Sequence, residues 1–304
     1  MTAVGTPANK STLRGVLAEL EKKHAAIGHF NVSDQTLLKA VVASAAEVKL
    51  PVLVGASEGE REFFGVRQLG ALVKSIRQEY DVPIFLNADH THSLGKVIEA
   101  AKAGFDAVTI DFSGLPFDQN VAQTKEAVQA IKALNPGILA EGEIGDIGTG
   151  SEIKEAPQGG KLSTPEEARQ FVEATGIDNL APAVGNMHGM LKSMVQGTTK
   201  KRLDIERIAE IKQAAGTFLT LHGGSGTEDE DFRKAIAAGI NIVHINTELR
   251  VAWRQSLAQS LARDLDEVVP YRILRPVVDS VKQVVASRLR LFRGEPVNAI
   301  ASVA

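Results

Sequence analysis

Histidines at 90, 188 and 222 stand in "NADHTHS", "VGNMHGM" and "TLHGGSG", each just past a short apolar run. Neutral imidazole is a common ligand for catalytic zinc, and such sites use three protein ligands with a fourth position left open. The chain has no cysteine. Disulfides and thiolate ligands are therefore excluded, and any metal must be held by His, Asp or Glu. Each histidine alone would suit a hydrogen bond within its own loop; three in matching positions point instead to one metal. Asp89 directly precedes His90 and offers a carboxylate for moving a proton. Asn31, Ser57, Asp111, Glu143, Asn246 and Thr247 end other apolar runs in the same way. A single Asn or Ser in such a place more often makes a turn or caps a helix. His24 on a charged helix end, His29 and His244 within apolar runs, and His92 in the turn after His90 read as structural or supporting groups.

Those runs number eight: 25–32, 51–57, 83–89, 106–113, 137–145, 179–185, 218–224 and 241–247. Their near-continuous apolar character fits strands of a parallel sheet buried on both faces. Amphipathic helical segments separate them. Ser33 or Asp34 is placed to cap the first, and Gly104 to stop the third. The fifth has Thr164, Pro165 and acids at its start and Gly176 at its stop. Eight strand-then-helix units predict a (β/α)8 barrel in a single domain over residues 1–304. A helical lead-in is expected at about 10–24 and C-terminal helices at about 248–293. A doubly wound sheet is the alternative, but eight units without a second domain favour closure. A barrel gathers all the carboxyl ends of its strands on one face, where catalysis occurs. Successive strand residues point to opposite sides. Asp89 and His90 can therefore serve one site only if the third strand ends there and the chain turns. Long loops after Glu143 and Gly185 are candidates for covering that site.

Two features suggest which ligand comes there. "HGGSG" follows the seventh strand, and "HINT" leads into a helix after the eighth. Barrels often seat phosphate on these two loops, using backbone N–H groups and a helix N-terminus. Gly223, Gly224 and Gly226 would admit close approach, with Ser225 and Thr247 adding hydroxyls; a tight turn is the plainer use of such glycines. The second feature is that none of the eight strand segments carries a lysine. A Schiff-base route would need a buried lysine amine. Without one, a metal must polarise the carbonyl and stabilise an enediolate.

Composition narrows the rest. Hydrophobic residues make up 44% of the chain, enough for a large core, and the net charge is −3. No basic surface suggests nucleic acid or an anionic membrane. The N-terminal stretch has no apolar signal region, and no run approaches the roughly 20 apolar residues of a membrane span. A cytoplasmic protein is expected.

In order along the chain, "NADHTHS", "TIDFSGLPFDQN", "AEGEIGDIG", "APAVGNMHGM", "LHGGSG" and "HINTEL" resemble the class II, metal-dependent fructose-bisphosphate aldolases. Tagatose-bisphosphate aldolases share the pattern, and the likeness runs from about residue 10 to 293. The resemblance implies His90, His188 and His222 as zinc ligands and Asp89 as the group serving the C4 oxygen. It implies Glu143 and Asp111 for an alternative or second metal position, and Asn31 and Ser57 against dihydroxyacetone phosphate. Gly189, Gly223, Ser225, Asn246 and Thr247 would cradle the phosphate, with the Gly189 and Gly223 carbonyls helping to hold K+ or Na+. The C3 base falls on Glu152, with Glu155 as second candidate. The far phosphate of a sugar bisphosphate needs a cation, for which Arg272 or Arg275 is available, in this or a neighbouring subunit of a homodimer or homotetramer. The motif departs from the family in "SGLPF" for "SHLPF", in Thr91 after Asp89-His90, and in His244 and Asn246 where Asn and Asp are common. Fructose 1,6-bisphosphate cleavage is the activity implied. A tagatose-bisphosphate or related ketose-phosphate aldolase and a non-catalytic sugar-phosphate-binding barrel are the alternatives.

Overall fold

The computed structural model describes residues 11–157 and 160–295. The stretch before residue 11, where no targeting signal is expected, lies outside the described residues. Eight parallel strands close into a barrel: β1 Ile27–Asn31, β2 Val52–Ala56, β3 Ile84–Thr91, β4 Ala107–Ile110, β5 Leu139–Ile144, β6 Asn179–Pro182, β7 Phe218–Leu221 and β8 Ile240–Ile245. One strand comes from each of the eight apolar runs. The ring closes where β1 pairs with β8, Ile27 beside Ile242 and Phe30 beside Ile245.

The period of two along each strand sorts side chains into layers. Outward residues such as Phe30, Val54, Leu86, Val108, Leu180 and Val243 join the core beneath the helices. Inward, Ile27, Leu53, Phe85, Ala107, Leu139 and Ile242 form an apolar floor. Helix α1 (Leu13–Glu21), the expected lead-in, seals that floor with Leu13, Leu17 and Leu20. Burying a leucine contributes about 1.5–3 kcal/mol, so α1 is a packed plug. Two residues further along, six of the strands turn polar inside the barrel: His29, Asn87, Thr109, Glu141, Thr220 and His244 are all buried. The next step up carries the site.

Helix α2 (Gln35–Val48) is capped by Asp34, whose carboxylate accepts from the Leu37 N–H at 2.7 Å. Helix α3 (Glu58–Phe64), which the sequence pattern did not suggest, begins directly after Ser57. The following helices are α4 (Val66–Glu79), α5 (Leu94–Lys102), α6 (Phe117–Leu134), α7 (Pro165–Thr175) and the short α8 (Lys192–Val195). Then come α9 (Ile205–Ala215), α10 (Asp229–Ala237), α11 (Thr247–Arg263) and α12 (Pro270–Phe292). The two long loops are tied together by a parallel ladder, Ile153 beside Met190 and Lys154 beside Leu191.

Strand β3 corrects one expectation. It does not end at Asp89 but continues to Thr91. Ala88 lies beside Val108 while Thr91 lies beside Ile110, so β3 carries one extra residue there. His90 takes φ +40°, a left-handed conformation that is rare away from glycine. Such a bulge re-aims side chains. It is how two adjacent residues come to share one site.

Candidate active site and metal centre

Three imidazoles from three strand ends meet above the polar layer. His90 Nε2 lies 3.2 Å from His188 Nε2 and 3.1 Å from His222 Nδ1. Three imidazoles bound at about 2.0–2.1 Å to one tetrahedral ion stand about 3.3 Å apart, so the spacing fits a metal. The outer nitrogens support this. His90 Nδ1 meets Asp111 Oδ2 at 2.7 Å, His188 Nδ1 meets the Gly148 carbonyl at 2.8 Å, and His222 Nε2 meets Glu141 Oε1 at 2.8 Å. Each acceptor keeps the proton on the outer nitrogen and leaves a lone pair on the inner one. Three lone pairs then point at a common centre, an arrangement that a cation stabilises. Burial and the two neighbouring imidazoles push His188 down to about 3, which keeps its ring neutral.

Two of the expected acids are close by. Glu143 is buried, and its Oε2 lies 3.9 Å from His90 Nδ1 and 3.8 Å from His222 Nδ1 without a hydrogen-bond partner. Burial and the Asp111 carboxylate lift its pKa to about 7. His90, Asp111 and Glu143 form a second group of donors within reach of one another, in keeping with an alternative metal position.

Asp89 sits beside the histidines. Its Oδ2 accepts from Asn31 Nδ2 at 2.9 Å, and its Oδ1 is unpartnered, 3.4 Å from His244 Nδ1 and 3.9 Å from His90 Nε2. Burial opposes the charge on Asp89, but His90, His244 and His29 outweigh it and hold the carboxyl well below the usual range. Asn31 also donates to Glu60 Oε2 at 2.8 Å, so it ties two carboxylates together while lining the narrow pocket.

Two adjoining pockets open from this centre, with Asp89, His90 and His188 lining both. The narrow one has Gly189, Gly223, Ser225 and Thr247 in its wall. The backbone N–H groups of these four meet no protein acceptor among the described residues. Ser225 Oγ accepts from the Asn246 and Glu248 N–H groups at 3.2 and 3.3 Å, which caps α11 and leaves the hydroxyl proton to donate. With the N-terminus of α11 behind it, this lining has the donors and the dipole that suit an anion. Gly223 has φ +59°, and a Cβ there would lie 2.4 Å from the Met187 carbonyl oxygen. Only glycine fits. The wide cavity is lined by Ser57, Glu58, Asp146, Ser151 and Arg250, among others.

Several expectations need correction. The Gly189 and Gly223 carbonyls do not wait for K+ or Na+; together with those of Met187 and Ser225 they surround the Lys201 ammonium at 2.6–2.9 Å. Arg272 is not brought to the pockets of its own chain. It is exposed near the start of α12, 3.4 Å from Glu267. Arg250, on the first turns of α11, is the arginine lining the wide cavity, and it donates to Glu60 Oε1 and to the Ser151 carbonyl. Glu155 is exposed and paired with Lys192. Glu152 is also exposed, its carboxylate beside cavity-lining Gly150. His244, expected to be a supporting group, lines the narrow pocket and stacks on His29 at 3.4 Å between ring centroids.

Glu141 and Lys201 were missed. Glu141 sits two residues before Glu143 on β5, where period-2 reasoning on a known barrel would have placed it inside. Burial pushes its carboxyl up, but His222 and Thr220 hold it at about 2. Replacing Glu141 by Gln should weaken metal binding about 10–100-fold, read by competition against a calibrated chelator. Unchanged affinity would show that Glu141 does not orient His222.

Residues 11–295 match the family model described as "Fructose-bisphosphate aldolase class-II". The chain is 34% identical over 280 residues to a probable fructose-bisphosphate aldolase of Bacillus subtilis, covering 91% of this chain and 95% of that one. It is 32% identical over 284 residues to the fructose-bisphosphate aldolase of Geobacillus stearothermophilus, covering 92% and 96%. Among solved structures, the YdjI aldolase of Escherichia coli K12 superimposes with a TM-score of 0.78 at 30% identity, covering 93% and 97%.

Proposed function

Because the chain belongs to the class II fructose-bisphosphate aldolase family, we propose that it is a zinc-dependent aldolase, reversibly cleaving fructose 1,6-bisphosphate to dihydroxyacetone phosphate and glyceraldehyde 3-phosphate. The observation that carries this reading is the position of Asp89 and the three histidines between an anion pocket and a wider cavity. The narrow pocket takes the phosphate of the three-carbon unit on the N–H groups of Gly189, Gly223, Ser225 and Thr247, with Asn246 beside them. His90, His188 and His222 would hold a divalent metal, with Glu143 and Asp111 at an alternative position, and such an ion would supply Lewis acidity at the substrate carbonyl.

In the cleavage direction Asp89 takes the proton of the C4 hydroxyl as the C3–C4 bond opens and C4 becomes the aldehyde carbon. Asn31 holds one oxygen of the Asp89 carboxylate, and the other has no hydrogen-bond partner. Glu152, beside the wide cavity, returns a proton to C3 to complete dihydroxyacetone phosphate. Ser57, expected against dihydroxyacetone phosphate, lines the wide cavity and with Arg250 receives the far end of the substrate, Arg250 as the cation for the second phosphate. This takes the role expected of Arg272, which is left available to a neighbouring subunit if the protein is a homodimer or homotetramer. No helix among the described residues is long and apolar enough to cross a membrane. A cytoplasmic place in sugar-phosphate breakdown and synthesis goes with the reading.

One observation favours a second reading. The carboxylates lining the wide cavity are Glu58, Asp89, Asp111, Glu143 and Asp146, against Arg250, a poor setting for a second phosphate. An uncharged aldehyde portion would suit it, with the same carbon–carbon cleavage of a ketose 1-phosphate. Zinc-loaded protein should be assayed on fructose 1,6-bisphosphate, tagatose 1,6-bisphosphate and fructose 1-phosphate. The fructose bisphosphate is expected to be cleaved fastest, with activity lost to a chelator and restored by zinc. Preference for fructose 1-phosphate would establish the second reading. No turnover of any of the three would leave a non-catalytic sugar-phosphate-binding barrel.

A further inference from the structure

Lys201 lies in the loop between α8 and α9, away from any strand segment. It is buried at 5% exposure. Its ammonium nitrogen is 2.6 Å from the Met187 carbonyl oxygen, 2.6 Å from Gly189, 2.9 Å from Gly223 and 2.6 Å from Ser225. An ammonium group has three N–H donors, so four converging carbonyls exceed what directional hydrogen bonding requires. A ring of carbonyl oxygens about one centre is how proteins replace the hydration shell of a bare cation. Burial lowers the Lys201 pKa and Glu248 opposes that. A neutral amine would turn its own lone pair against the carbonyl oxygens, so the cage itself favours the charge.

The same four peptide groups are held from their other side. The N–H groups paired with these carbonyls belong to His188, Met190, Gly224 and Gly226. They donate to the carbonyls of Ile147, Glu152 and His244 and to Glu248 Oε1. With these peptides clamped at both ends, the alternate N–H groups of Gly189, Gly223 and Ser225 are the ones left for the narrow pocket. One ammonium therefore joins the loop after β6 to the loop after β7, and each loop also carries a histidine of the metal centre. Lys201 is itself anchored, its N–H donating to the Gly226 carbonyl at 2.8 Å.

We infer that Lys201 is a tethered monovalent cation: its ammonium fills a four-carbonyl site behind the anion pocket, shapes that pocket for a phosphate group, and makes phosphate binding independent of K+ or Na+. The inference rests on reading the narrow pocket as the seat of a phosphate. Its physical advantage is entropic, because a cation linked to the chain need not be captured from solution.

The test uses the metal-loaded protein in tetramethylammonium, sodium, potassium or ammonium chloride at constant ionic strength. Wild-type protein is expected to show the same KM for its phosphorylated substrate, and the same melting temperature with inorganic phosphate, in all four salts. Lys201→Met in tetramethylammonium should melt lower and show a KM about 10–100-fold higher, the range for losing a hydrogen-bonded charge. K+ or NH4+, but not tetramethylammonium, should restore both. A wild-type protein activated by K+ would overturn the inference. So would a folded Lys201→Met protein that keeps wild-type KM and melting in every salt. If Lys201→Met does not fold, the wild-type salt series still decides. If the wild type turns over no sugar phosphate, the aldolase reading fails on its own, and melting with inorganic phosphate still tests the role of Lys201.

Discussion

Replacing Asp89 with alanine is expected to lower kcat by about 10²–10⁴-fold, the usual contribution of a positioned general acid or base, while the metal stays bound. The reason is geometric. Asp89 Oδ1 lies 3.9 Å from His90 Nε2 and hydrogen-bonds none of the three imidazoles, whose outer nitrogens are held by Asp111, Gly148 and Glu141. Removing the carboxylate takes away the proton carrier and leaves the ligand set standing. Alanine also strips a partner from Asn31, so Asp89→Asn is the needed companion. It keeps the side-chain shape and cannot take a proton near neutral pH. Both variants should show wild-type metal content by elemental analysis and similar losses of kcat. An asparagine variant with full turnover would sink the assignment of Asp89 as the proton carrier.

The second large effect concerns His188. After dialysis against metal-free buffer, His188→Ala is expected to retain no metal and no measurable cleavage, where the wild type retains both. Two imidazoles cannot supply the three protein ligands of a catalytic zinc site. His188 is the best of the three to remove. Its outer nitrogen contacts only the Gly148 carbonyl, whereas deleting His90 or His222 would take the closest imidazole from the Asp111 or Glu141 carboxylate. Breaking a buried pair by removing one partner is destabilising, so those variants would confuse metal loss with unfolding. His92→Ala serves as the control: that ring is more than half exposed and should be dispensable for metal retention. Full metal content in His188→Ala would refute the ligand set.

The order of elements was legible because hydrophobic periodicity and cap chemistry are local. Eight apolar runs became eight strands, Thr164 and Asp34 cap the helices they precede, and α1 lies where a lead-in was expected. The three histidines were legible because a barrel sends every strand's carboxyl end to one face, whatever the angles between strands.

What the sequence did not carry depended on distance along the chain or on the backbone itself. The bulge that lets Asp89 and His90 share a site comes from an extra residue of β3 measured against β4, and a register between two strands has no signature in either alone. Glu141 looked like one more strand residue until closure put it against His222, 81 positions away. The sequence offered Arg272 or Arg275 as the cation and passed over Arg250, which the direction of α11 from the strand ends brings to the cavity. Lys201 is the clearest case. The eight strand segments carry no lysine, but that says nothing of a loop lysine that folds back among four carbonyls. By itself the sequence determined the barrel and the three histidines that meet at its carboxyl face, and it limited the donors open to a chain without thiolates. Tertiary structure decided which acceptor holds each of the three imidazoles and which cation sits among the four carbonyls behind the narrow pocket, because both depend on contacts between segments far apart in the chain.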